Sequence, residues 1–491
     1  MKKGENEKQD VFKEALFYFQ IGHFQEVVRL CQKLRMRGVI KDDPAFLQLE
    51  WLALVYLGSA NSPSLQQTEV ARKILSSLPG GGGAGLPEYA LALLERGQRS
   101  IDPIDVTLDI ALAQHGVVST YHPSALLRLA IIASESFNDT IRAGMLLNCC
   151  LGFRGVFVSL ADVENLAVLL VSLEAPFSIW ADWCAIFVRH LKFATVRQKF
   201  IKTETGDPKA IAWAVSENAR SEQVLEKILS VAPVGTLQLL KQLAKHTDAE
   251  PLAEVIESKF SLKIGTPTST QPNKLWFDPN VLRLRYFWHD MLPESEQHFL
   301  RNGDWALFYG PTPDASMGVA QWWRAVEAVL KRAIAMPLAD HYSRNPEWAE
   351  WDRENLTSKE QEKEKIFLTY LTDTARTEKI TLGDLVLLLA KLTAEPGKKI
   401  YRSRLRKEAV SFFRQSSRQL EPLMNSSWLD PPHLTQENVS YFRNRSSHDS
   451  SVGIIDASVG RYFSKRIFDL FYDAVLDSWG FAPSIADPEY S

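Results

Sequence analysis

DASVGRYFSKRIFDLFYDAV, residues 456–475, places Val459, Tyr462, Phe463, Ile467, Leu470, Phe471, Ala474 and Val475 at spacings of three and four. This recurrence matches the turn of an α-helix and gathers the apolar side chains into one stripe, with Asp456 placed to cap its start. An apolar stripe needs another to cover it. Upstream, Val319, Trp322, Trp323, Val326, Val329, Leu330 and Ala333 form a second stripe over Val319–Ile334 by the same rule. Thr381 followed by Asp384 forms a capping-box variant that opens a helix running to Leu392, apolar nearly all round as in a central buried helix. A basic helix is expected over Tyr401–Leu420. These segments predict a bundle of four or more helices.

The N-terminal half continues the pattern, helix after helix, and alternating strand signals are scarce. The fold class is therefore all-α: an N-terminal helical-repeat or bundle region followed by a C-terminal helical bundle. Ala15, Tyr18, Gly22, Phe24 and Glu26 fall where a helical hairpin places its small and aromatic contacts, with Val27 in place of a usual small residue. This resembles one tetratricopeptide repeat. A looser unit spans Leu49–Pro79, with Ala53 and Tyr56 on one face and Ala71, Leu75 and Leu78 on the next helix. The period then fails, and a plain helical bundle remains the alternative. At 491 residues the chain exceeds one core. We expect helical hairpins over 1–79, a repeat or bundle region over 88–262, a linker over 263–274 and a helical domain over 275–491. Gly265–Pro272 is the turn-rich boundary.

Composition narrows the class. With 45% hydrophobic and 23% charged residues the chain is neither disordered nor membrane-embedded. No uncharged apolar run reaches about 18 residues, and MKKGENEKQD lacks the apolar core of a secretory signal, so a cytoplasmic location is expected. Cys31, Cys149, Cys150 and Cys184 lack metal-ligand spacing and read as buried thiols. Gly80–Gly83 lacks the Gly-Lys-Ser/Thr ending of a phosphate loop. His289 and His298 have no third ligand at helical spacing. No metal and no cofactor is called for. Net charge is −3, but it is unevenly spread: Lys379–Glu421 carries ten Lys/Arg against four Asp/Glu, and Asp340–Glu364 eight acidic residues against four basic. A basic segment suits a polyanion; both can equally be solvated helix faces.

Between the last two helices lies Val439-Ser-Tyr-Phe-Arg-Asn-Arg-Ser-Ser-His448-Asp. Thr435 is placed to cap a short helix anchored by Val439 and Phe442, with Arg443, Asn444 and His448 crowded toward its end. Arg, a polar residue, three more residues and His between amphipathic helices resembles the HEPN superfamily motif. The likeness covers about Ala315–Trp479 and includes Ala325-Val-Glu-Ala-Val-Leu and Leu382-Gly-Asp-Leu. The resemblance implies metal-independent RNA cleavage at the ribose 2′-hydroxyl, with Arg443, Asn444 and His448 as the catalytic set and a site shared across a homodimer. The chemistry suits the residue types. Imidazole exchanges protons near neutral pH, guanidinium binds phosphate in a planar fork, and an amide orients either. Arg445, Lys398, Lys399, Arg402, Arg404, Arg406 and Lys407 are the candidate RNA contacts. Some members of the superfamily carry tyrosine two positions after the histidine; Ser450 stands there, against regulation by nucleotide transfer. Two functions remain open. One is an endoribonuclease effector of antiphage defence or toxin type, whose N-terminal region senses a trigger or binds a protein partner. The other is a non-catalytic helical scaffold that binds protein or RNA, its Arg–His pair merely holding a carboxylate.

Overall fold

In a computed structural model the described residues form helices and turns and no strand, so the all-α class holds. The structure describes residues 24–38, 101–113, 123–152, 159–200, 208–247, 274–309, 314–393, 402–413, 433–444 and 452–479, with scattered positions at 11–18, 46–94, 254 and 423–424. Among them, no helix is long and apolar enough to cross a membrane.

The chain makes two compact units, each assembled from separated stretches. The first is Met1–Pro176, Asp182–Pro233 and Pro272–Phe287; the second is Phe177–Ala181, Val234–Gln271 and Trp288–Ser491. These bounds differ from a division at 263–274. Residues 272–287 belong to the first unit, where Trp276 Nε1 donates to the Leu173 carbonyl at 3.0 Å and Arg285 Nε to Asn148 Oδ1 at 2.7 Å. Turn-rich composition marks a loop but does not say which core the following chain joins. That is decided by where a buried indole and guanidinium find acceptors. Gly265–Pro272 itself lies outside the described residues.

In the first unit, the Phe24–Met36 helix buries Val27, Val28, Leu30, Cys31 and Leu34 against Ala15, Phe46, Leu49 and Ala53. Val27 is thus fully buried in this core. Tyr56, Ala71, Leu75, Leu78 and Gly80–Gly83 lie outside the described residues. The Pro123–Glu135 and Thr140–Gly152 helices pair as a hairpin through Asn138, whose φ of 52° is left-handed, a conformation asparagine tolerates. All four cysteines are buried thiols.

The second unit is built on the hairpin of Glu294–Tyr309 and Ser316–Leu330 and on the long Ile454–Trp479 helix. The hairpin closes tightly because Gly303 faces Gly318. A methyl on Gly303 would meet Trp322 Cδ1 at 2.6 Å and the Gly318 carbonyl oxygen at 3.0 Å. Val319, Trp322, Trp323, Val326, Val329 and Leu330 are buried, as their stripe predicts. Ala333 is not, because a π-helical turn over Lys331–Ala335 shifts the periodicity and buries Ile334 and Ala335 instead.

The long helix differs from an amphipathic reading. Val459, Tyr462, Phe463, Ile467 and Phe471 are buried, but so are Arg461, Lys465, Arg466 and Asp469. Arg461 Nε meets Asp304 Oδ1 at 3.0 Å. Asp469 accepts from Trp288 Nε1 at 2.8 Å and from Arg466 Nη1 at 3.2 Å. Asp456 stands inside the first turn of this helix, which starts at Ile454. The Leu382–Thr393 helix, with its Thr381–Asp384 box formed as expected, is not buried all round: Leu387 is 50% exposed.

Candidate functional site

Thr435 Oγ1 accepts from the Asn438 amide at 3.1 Å, and Asn438 Nδ2 donates to the His433 carbonyl at 2.9 Å. These bonds fix the start of the motif segment. The short Gln436–Asn438 helix runs directly into a π-helical turn over Val439–Asn444. Val439 and Phe442 are buried, the two anchors expected from sequence. Phe442 stacks on Trp323 at a centroid distance of 6.3 Å and meets Phe463 edge-on at 5.5 Å. Gly460 makes room for it: a methyl there would lie 2.9 Å from Phe442 Cδ1 and 2.6 Å from Val319 Cγ2.

With Phe442 fixed inward, Arg443 projects to the edge of the Ser316–Leu330 helix. Its Nη2 donates to Glu327 Oε2 at 3.2 Å, and its Nη1 lies 3.5 Å from Asn444 Oδ1. The other oxygen of Glu327 accepts from Lys331 Nζ at 3.1 Å, and Lys331 Nζ also donates to the Glu378 carbonyl at 3.0 Å. Side-chain exposures are 27% for Arg443, 17% for Glu327 and 21% for Lys331, so the three groups are half-buried yet reachable. Two cations meet on one carboxylate. An incoming phosphate oxygen is the natural complement to such a pair.

Glu327 and Lys331 were not among the candidates read from sequence. Their signal was present, a glutamate four residues before a lysine on a helix, but that spacing also serves ordinary helix stabilisation. Of the expected catalytic set, the structure places Arg443 and Asn444 side by side. His448 and Arg445 lie outside the described residues. The chain is described again from Val452, whose amide donates to Ser316 Oγ at 3.0 Å and to Asp314 Oδ1 at 3.2 Å. Hydrogen bonds from Ser316, opposed by burial and joined by the Val452 amide, hold the Asp314 carboxyl below the usual range.

The expected basic helix spans Arg404–Phe412 in the described residues. Ser403 caps it, and buried Asp352 accepts from Ser403 Oγ at 2.7 Å, the Arg404 amide at 2.6 Å and the Leu405 amide at 3.1 Å. The acidic and basic segments therefore meet in the fold. Arg406 turns inward, 15% exposed, to Glu364 at 3.2 Å, which Lys391 also meets at 3.1 Å; Arg402 pairs with Glu360 at 3.1 Å. Arg402, Arg404 and Lys407 are exposed, while Lys398 and Lys399 lie outside the described residues. Among the described candidate RNA contacts, Arg406 is thus the one least able to reach a ligand. No group of three or more His, Cys, Asp or Glu side chains placed to hold a metal occurs among the described residues.

The chain matches no protein-family model, no curated protein and no solved structure.

Proposed function

We propose that the C-terminal part of this chain is a metal-independent endoribonuclease of HEPN type, the catalytic element of an antiphage-defence or toxin-type effector acting in the cytoplasm. The observation that carries this reading is the half-buried cluster of Arg443 and Lys331 on the single carboxylate of Glu327, with Asn444 beside it. In this reading His448 takes the proton from a ribose 2′-hydroxyl, whose oxygen attacks the adjacent phosphorus while the P–O5′ bond breaks and the leaving oxygen takes up a proton. Arg443 and Lys331 neutralise the charge gathering on the phosphate oxygens, and Asn444 orients the guanidinium. Glu327 keeps two like charges together until phosphate arrives. A second copy of the chain brings its own motif to complete the site. Exposed Arg402, Arg404 and Lys407, with Lys398, Lys399 and Arg445, follow the RNA backbone without reading sequence. The N-terminal helical region binds the protein partner or trigger.

One observation favours the scaffold reading: Arg443 already holds a carboxylate, as a purely structural arginine would. Cleavage assays separate the two. Wild-type protein, Arg443→Ala, Lys331→Ala and His448→Ala are incubated with total RNA and transfer RNA in the presence of chelator. Loss of Arg443 or His448 is expected to slow cleavage by about a hundredfold or more, with an unchanged circular dichroism spectrum. Undiminished cleavage by the Arg443→Ala/His448→Ala double variant would leave the scaffold reading standing.

A further inference from the structure

The Thr236–His246 helix ends on the turn that carries Arg443. The imidazole of His246 lies among three rings, with centroid distances of 5.9 Å to Tyr441, 5.8 Å to Phe442 and 5.7 Å to Phe463. Tyr441 in turn donates its hydroxyl to Asp456 Oδ2 at 3.2 Å. Three charged groups act electrostatically on the imidazole: Glu437 on the short helix before the turn, Asp456 on the first turn of the long helix, and Lys245 on its own helix. Tyr441 and Phe442 lie in the quoted Val439–Asp449 segment, whereas Lys245, His246, Asp456 and Phe463 lie outside it.

We propose that His246 is a positioning residue for the candidate site, its charge state deciding whether Asp456 holds Tyr441 or the imidazole, and thereby how the Arg443–Asn444 end of the turn is presented. The proposal rests on the ribonuclease reading only where cleavage is the readout. A neutral imidazole packs among the rings as another aromatic. An imidazolium in the same place loses hydration and needs a counter-charge. Asp456 and Glu437 supply it, and Asp456 is already the acceptor for Tyr441, so the imidazolium draws on the carboxylate that holds the phenol. Tyr441 sits two residues before Arg443 on a π-helical turn, a conformation with poorer intrinsic support than a regular helix. Phe442 pins the middle of that turn, so a shift at Tyr441 is passed to Arg443 as a rotation of the exposed edge.

The direction is set by the surroundings. Burial lowers the proton affinity of His246 below that of an ordinary histidine; Glu437 and Asp456 oppose this and Lys245 adds to it. His246 is therefore neutral at neutral pH and gains its charge on acidification. Because its folded value is depressed, the stability it contributes is present above the unfolded value of about 6.5 and is lost as pH falls toward the folded value.

The test uses the full chain labelled at histidine Cε1, with the His246 resonance assigned by its loss in His246→Phe. In Tyr441→Phe, which keeps the ring and removes the hydroxyl's bond to Asp456, the titration midpoint of His246 is expected to move to higher pH. The cleavage profile of the wild type is expected to carry an acid limb that tracks the His246 midpoint. His246→Phe removes that component and is expected to cleave RNA severalfold faster than wild type at pH values below the His246 midpoint read by the titration. An unmoved midpoint in Tyr441→Phe, or a His246→Phe profile that superimposes on that of the wild type, would overturn the proposal. If Tyr441→Phe moves the midpoint while no form of the protein cleaves RNA, the coupling of His246 to the turn stands and the ribonuclease reading falls.

Discussion

Replacing Asp304 with alanine is expected to destabilise the second unit by about 3–5 kcal/mol, because it removes a counter-charge from a buried cation. The Asp304 and Arg461 side chains are 2% and 0% exposed, with Nε and Oδ1 3.0 Å apart. The same carboxylate oxygen accepts from Trp322 Nε1 at 3.0 Å, so one substitution takes an acceptor from two buried donors. The Ser178 carbonyl at 3.4 Å and the ring faces of Trp322 and Phe308, at 5.4 Å and 5.7 Å, stay in place. A desolvated cation–π contact contributes about 2 kcal/mol, too little to replace a full counter-charge. Asp304→Asn keeps an oxygen acceptor and is expected to cost less, about 1–3 kcal/mol. Asp304→Leu combined with Arg461→Met is expected to recover most of the loss, since well-packed apolar pairs replace buried ion pairs at little cost. Urea unfolding of the full chain, monitored by far-ultraviolet circular dichroism, reads the midpoint of each variant. An Asp304→Ala transition indistinguishable from wild type would refute the reasoning, as would a double variant no more stable than the single one.

Gly460→Ala gains about 1 kcal/mol of helix propensity but sets a methyl 2.6 Å from Val319 and 2.9 Å from Phe442. Overpacking of about 1–3 kcal/mol is expected to win, lowering the melting temperature and weakening the Arg443-dependent cleavage together. A more stable Gly460→Ala chain would contradict this. Burial pushes the Cys31 and Cys149 thiols up to about 12 and the Cys150 and Cys184 thiols well above their ordinary value. Iodoacetamide near about pH 8 is therefore expected to label them only after denaturant is added, and fast labelling of the native chain would count against their burial. Reversing the charges of Arg402, Arg404 and Lys407 is expected to weaken RNA binding and flatten its salt dependence, read by titrating affinity against salt; an unchanged slope would make this a solvated face. The same reversal at Arg406 is expected to cost stability first, because Glu364 already faces it.

Periodicity identified the helices well and their environments less well. The Val319–Ile334 stripe was legible because large apolar residues dominate it, and it failed only at Ala333, where the wide turn breaks the repeat. Two helices exchanged character. The one rich in charge, Ile454–Trp479, is buried all round from Ala457 to Asp469, and the one rich in leucine, Leu382–Thr393, shows Leu387 to solvent. Charge counts as surface in a pattern, whereas Arg461 and Arg466 are neutralised by Asp304 and Asp469, partners distant in sequence or hidden in the same face. At the candidate site, Arg443 and Asn444 were singled out by the resemblance of their segment to the HEPN motif, and the structure sets them side by side. Glu327 and Lys331 were not, since the bond that makes them significant spans 116 residues. His246 was equally hidden, because its meaning lies in the rings that surround it.

The wide turns have a consequence for chain length. Lys331 opens one and Arg443 lies near the end of another, so both cations that grip Glu327 stand where the backbone holds an extra residue per turn. Removing a single residue such as Ser440 would restore the ordinary helical pitch and swing Arg443 and Asn444 by about 100° about the axis. Arg443 would then leave Glu327 although every side chain of the cluster was still encoded. In this segment a one-residue deletion is a harsher event than most substitutions, and tolerated length variation belongs elsewhere in the chain.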